Sequence, residues 1–185
     1  MNRTALLVVC LCLFSSGCVS VPLSTIVRMS TFDQHDFVQL DPAVLGIKIK
    51  LPDGFSLNAG TSSLGVHLTS AAGVHDGNFK LEQVTTRKAQ LPTGLFSDDV
   101  PGTEYTLKLS SPSQNEFRKL QTFVRKGRPG DVVITVAPRL SSFPKDAALV
   151  TIWIDLLLSE SQGYFTLLDG AELPMEAIRA ANAAR

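Results

Sequence analysis

The sequence predicts a mainly β protein, an antiparallel β-sandwich of about seven to eight strands with one inserted amphipathic helix. Three observations lead there: short apolar–polar alternations separated by turn residues, a single stretch with helical periodicity, and no repeated strand–helix unit of the kind that builds a parallel sheet. An α+β sheet with helices on one face is the alternative. The composition fits one globular domain, with 44% hydrophobic and 18% charged residues among 185. General disorder would need fewer apolar residues or a large net charge, and here 17 basic side chains balance 17 acidic ones. That balance also argues against nucleic acid as a partner, because sequence-independent grip on phosphates needs a basic surplus.

The first strand is set by Ile47, Ile49 and Leu51 alternating with Lys48 and Lys50. Pro52, Asp53 and Gly54 then read as the turn of a hairpin that returns through Phe55 and Leu57. Leu64, Val66 and Leu68 alternate with Gly65, His67 and Thr69, and Phe79 and Leu81 with Lys80 and Glu82, leaving Gly73, Asp76 and Gly77 for the loop between them. Tyr105, Leu107 and Leu109 resume the pattern after an irregular stretch.

The helix begins with Ser111 as N-cap, Pro112 in the first turn and Gln114 completing a capping box. Phe117, Leu120, Phe123 and Val124 supply its apolar stripe, and Gly127 its end. Two further strands follow at 131–136 and 149–158, and a last one runs from Tyr164 to the turn at Asp169 and Gly170. The 149–158 run is apolar on both faces, which predicts a central strand covered above and below. From Pro174 an alanine-rich tail can form a short helix with Met175 and Ile178 on one side.

The amino terminus carries a different signal. Arg3 precedes an uninterrupted apolar run from Ala5 to Phe14, followed by Ser15, Ser16, Gly17 and Cys18. A run of ten residues reads as a secretory signal peptide, since a membrane span needs about 20. Ser16-Gly17-Cys18 resembles the lipobox of bacterial lipoproteins, although Ser15 stands where most of them carry Leu. The resemblance implies cleavage before Cys18 and acylation of its sulfur. It covers residues 1–18 and leaves the domain itself unassigned to any family. Cys10, Cys12 and Cys18 are the only cysteines, so the mature domain cannot form an internal disulfide, and an exported chain that keeps one cysteine fits lipidation better than redox or metal work. Val19 follows the cysteine, where Asp would imply retention in the inner membrane; the resemblance therefore implies the periplasmic face of the outer membrane.

The expected organisation is a signal peptide at 1–17, an anchored cysteine and short tether at 18–30, one β-sandwich-like domain at 31–171, and a tail at 172–185.

Motifs for chemistry are sparse. The chain lacks a phosphate-binding glycine loop, a dinucleotide fingerprint, an HExxH helix and a GxSxG elbow, so no cofactor and no catalytic residue are expected. His67, His75 and Asp76 are candidates for a metal or acid–base group if a loop folds back, but their ordinary reading is a pair of solvent-facing histidines, and no metal is expected. Asp155 is the one charge within the 149–158 run. It shares a face with Trp153 and Leu157, and exposure of that face at the strand end would make the three residues a partner or ligand surface. The basic cluster Arg118, Lys119, Arg125, Lys126 and Arg128 suits either a solvated helix face or contact with an anionic membrane surface. These features together suggest a non-enzymatic interaction or accessory module of the cell envelope, held in the membrane through acylated Cys18 and possessing another envelope protein as partner. The alternatives are a periplasmic domain binding a small apolar or glycan ligand near Trp153, Tyr164 or the 88–102 loop, and a hydrolase built around His67, His75 and Asp76.

Overall fold

Alternation of apolar and polar residues drives the chain into seven antiparallel strands that form one sheet, in the order β6-β3-β4-β5-β1-β8-β9, seen in a computed structural model that describes residues 21–30, 32–70, 73–93, 98–125 and 130–183. The strands are β1 (Gly46–Pro52), β3 (Ser63–Ser70), β4 (Gly73–Leu91), β5 (Val100–Leu109), β6 (Gly130–Ala137), β8 (Leu149–Leu157) and β9 (Tyr164–Pro174). A second sheet holds only β2 (Ser56–Leu57) and β7 (Leu140–Ser142). The large sheet is curled, giving a sandwich or half-barrel character to a mainly β protein. Among the described residues four α-helices accompany it: α1 (Leu23–Ser30), α2 (Gln34–Gln39), α3 (Ser111–Arg125) and α4 (Met175–Ala183).

One face of the sheet is the core. Ile47, Ile49 and Leu51 of β1 stand beside Leu107 of β5 and Ile154 and Leu156 of β8, all buried. In the other half of the sheet Leu64, Val66 and Leu68 continue the same face, where Phe117 of α3 packs its ring 5.0 Å from Phe79 of β4 and 5.0 Å from Phe37 of α2. Helices α2 and α3 therefore fill the inside of the curl.

Several local expectations are corrected. Gly54 takes the left-handed turn conformation at φ +92°, but the chain does not return as a hairpin: β1 pairs with β5 and β8, while β2 leaves to pair with β7. The segment containing Gly73, Asp76 and Gly77 is not a loop but the first part of the 19-residue β4. Asp76 is paired across from His67, and Gly77 is a packing glycine: a Cβ there would lie 2.6 Å from the Phe79 ring and 3.0 Å from Leu120. Strand β4 pairs with β3 through Lys80 and with β5 from Leu81 onward, and a bulge follows between Gln83 and Thr85.

The α3 cap lies one residue earlier than the sequence suggests. Ser110 Oγ accepts from the Ser113 amide at 3.4 Å, and Gln114 Nε2 instead reaches the Leu109 carbonyl at 3.0 Å. The buried stripe is Ser113, Phe117, Gln121 and Val124, whereas Phe123 is 53% exposed. Strand β8 is buried throughout on the core side and, on the outer side, at Trp153. Strand β9 does not end at Asp169 and Gly170 but passes through them, with Gly170 at φ +66°. Helix α1 lies within the stretch expected to be tether, and in α4 Met175 and Ile178 are buried, as their spacing predicts. Gly127, the expected helix end, lies outside the described residues.

Candidate functional site

On the outer face of the sheet, alternation with the buried isoleucines brings Lys48 and Lys50 of β1 into line with polar residues of three other strands. Lys50 is registered between Glu104 of β5 and Trp153 of β8, Lys48 between Thr106 and Asp155, Arg87 of β4 opposite Glu104, and Thr166 of β9 opposite Asp155. The ion pairs are made both directly and diagonally. Lys50 Nζ reaches Asp155 Oδ2 at 2.8 Å, Lys48 Nζ lies 3.8 Å from Glu104 Oε1, and Arg87 donates to both Glu104 oxygens, from Nε at 2.8 Å and Nη2 at 3.1 Å. The Glu104 side chain is only 4% exposed, and the bidentate Arg87 fork supplies the compensation that a buried carboxylate needs. The same contact raises the Arg87 pKa above its ordinary value, through the hydrogen bond and the charge of Glu104.

Tyr164 closes one side of this ladder. Lys48 Nζ sits 4.4 Å from its ring centroid, and its hydroxyl lies over Gly46, where a Cβ would stand 2.6 Å away. Partial burial, followed by the negative charges of Glu104 and Asp155, raises the phenol pKa. Thr166 donates from Oγ1 to Asp155 Oδ1 at 2.9 Å, and its carbonyl accepts a short hydrogen bond from Thr25 Oγ1 of α1. A continuous polar path thus runs Lys50, Asp155, Thr166, Thr25, from the β1–β8 pair to helix α1.

The expected surface of Trp153, Asp155 and Leu157 is therefore not an open apolar patch. Trp153 is 3% exposed, lying opposite Lys50 and beside Gly170, with its indole N–H buried and unpaired. Leu157 is half-buried and paired with Tyr164, and Asp155 has found partners rather than water.

The histidines separate. His67 and Asp76 do meet, Nδ1 to Oδ1 at 2.5 Å, and Thr69 Oγ1 lies 3.2 Å from His67 Nε2. His75, registered with the buried Leu68, is on the opposite face of the sheet with its ring centroid 4.4 Å from Phe123. Strand alternation alone divides His67 from His75, so the three-residue site does not assemble. Among the described residues, no group of three or more histidine, cysteine or acidic side chains is placed to hold a metal ion.

Arg118, Lys119 and Arg125 are exposed on α3, with Arg118 Nη2 3.9 Å from Asp41. Lys126, Arg128 and Cys18 lie outside the described residues. A cleft of about 550 Å³ is not walled by Trp153, Tyr164 or the 88–102 segment; it lies between α2 and the start of the β8–β9 connection, lined by Phe32, Asp36, Asp41, Leu158 and Glu160 among others.

Sequence reasoning missed Glu104, Arg87, Thr166 and Thr25. The alternation of Lys48 and Lys50 marked a polar face, but the partners on that face depend on pairing between distant strands. Comparison with protein-family models, with curated proteins and with solved structures found no match.

Proposed function

We propose that this chain is a bacterial envelope lipoprotein, held through acylated Cys18 at the periplasmic face of the outer membrane and acting as a non-enzymatic interaction module for another envelope protein. The reading rests on the signal-like run before Ser16-Gly17-Cys18. The structural observation that carries it is the position of α1: Thr25 is clasped to the edge strand β9, and at most about 25 Å of extended chain separates it from Cys18. An acyl anchor at that distance keeps one edge of the sheet beside the bilayer and presents the rest of the domain to neighbours. Among the described residues no helix is long and apolar enough to cross a membrane. In this reading the acyl chains hold the protein, one marginally and two durably.

The test is crosslinking of the full chain in native membranes followed by mass spectrometry, with Cys18→Ser alongside. A discrete protein partner that disappears with the anchor is the expected result. Acylated protein that yields no reproducible partner overturns the module role, and absence of acylation at Cys18 overturns the anchor.

A second reading, binding of a small ligand, is favoured by the 550 Å³ cleft, whose mixed apolar and acidic lining is of a size that encloses small molecules. A thermal-shift screen of sugars and small cations or amines, with Asp36→Asn as control, separates it from the first.

A further inference from the structure

Helix α1 is bound by one face and open on another. Thr25 and Met29, four positions apart, share the side turned to the protein: Thr25 is 3% exposed and donates to the Thr166 carbonyl, and Met29 packs against the core. Leu23 and Ile26, three positions apart, share a different side and are 76% and 53% exposed. The helix contains no acidic residue and one basic residue, Arg28. Large apolar side chains left in water on a short helix are costly unless something covers them.

The chain itself indicates the cover. Leu23 follows Cys18 by five residues, a reach of at most about 18 Å when fully extended. If the Cys18 sulfur carries acyl chains, their entry point into the bilayer lies within that distance of the open face. We infer that the Leu23 and Ile26 face of α1 inserts into the bilayer interface beside the acyl chains, at the boundary of headgroups and hydrocarbon roughly 5–10 Å deep. The occupant of this face is lipid. The inference rests on the anchor reading above and adds an orientation to it: because α1 is fastened to β9, insertion turns the β9 edge of the sheet toward the membrane and the β6 edge away from it.

Single cysteines test this well, since the mature chain has no other free thiol once Cys18 is acylated. Leu23→Cys, Ile26→Cys and, on the far edge strand, Val133→Cys each replace an exposed side chain, so the fold is not at risk. Each mature variant is labelled with an environment-sensitive fluorophore and reconstituted in vesicles of phosphatidylethanolamine and phosphatidylglycerol containing spin-labelled lipid, after cleavage before Cys18 and its acylation have been verified by mass spectrometry. The expected result is blue-shifted emission at 23 and 26, quenched more strongly by a spin label near the headgroup than by one at mid-chain, with water-like emission at 133. Acylated protein whose labels at 23 and 26 emit as in water overturns the insertion and leaves the anchor standing. Quenching of position 133 to the same degree overturns the orientation. An unmodified Cys18 overturns both the anchor and the insertion.

Discussion

Ile47 and Ile49 on one side of β1, and Lys48 and Lys50 on the other, occupy the same strand and the same pair of neighbours, yet they are held by different physics. The isoleucines are buried among Leu107, Ile154 and Leu156, where attraction is non-directional and proportional to the apolar area removed from water. The lysines sit among Glu104, Asp155 and Tyr164, where each contact depends on direction, charge and shielding. One period-two alternation yields a face tolerant of any well-fitting apolar side chain and a face that works only with particular partners.

The core side carries the larger effects. Ile154→Ala removes a side chain 1% exposed and should lower unfolding free energy by about 2–5 kcal/mol, read from urea denaturation, because the close-packed strands around it collapse only partly into the cavity. A loss below about 1 kcal/mol would mean that the inner face is loosely packed. Asp155→Ala on the outer face should cost about 1–3 kcal/mol, between an exposed pair and a fully buried one, since Lys50 is 24% and Asp155 13% exposed. The sharper form of that comparison replaces both partners: Lys50→Met with Asp155→Leu should cost less than Asp155→Ala alone, because no charge is stranded.

The outer face should also respond to alkali. Tyr164 has its pKa raised in the folded protein, chiefly by burial and then by Glu104 and Asp155, so the unfolded chain loses the phenolic proton first. The stabilisation is complete below the ordinary tyrosine value of about 10 and is lost as pH rises from there through the folded pKa. Denaturation midpoints measured from pH 9 upward should fall more steeply in the native sequence than in Tyr164→Phe; equal slopes would detach the phenol from the ladder. The smallest effect belongs to His67→Ala. Its partner Asp76 is 73% exposed, so the change should stay within about 1 kcal/mol. A loss comparable to that of Asp155→Ala would erase the distinction between shielded and open pairs.

The inner face was legible in the sequence because alternation repeats locally: 47, 49 and 51, or 64, 66 and 68, declare their burial without knowledge of any partner. The outer face was only half legible. Lys50 and Asp155 are about a hundred residues apart, and nothing in either segment specifies that β1 and β8 are neighbours. Gln121 illustrates a second limit. An apolar-only stripe passes over it, yet it is buried because its amide donates to the carbonyls of Phe37 and Leu40 at 2.9 and 2.8 Å, satisfying the end of α2. Its i+4 spacing from Phe117 was the available signal. Gly77 misled in the opposite sense, since a glycine required for close approach of α3 has the same one-letter appearance as a glycine required for a turn.

The sheet order also sets a timetable. Strands β3, β4 and β5 are joined in sequence and pair with their immediate successors, so they can close early at small entropic cost. Strand β1 can pair with β5 after some fifty residues have emerged but must wait about a hundred for β8. A chain emerging amino terminus first therefore holds Ile47 and Ile49 half-covered from the arrival of β5 until that of β8, about forty residues later. Pulse-labelling hydrogen exchange during refolding should show amides of the β4–β5 ladder protected before those shared by β1 and β8, and the interval between the two is the period in which this protein is most exposed to aggregation or to a chaperone.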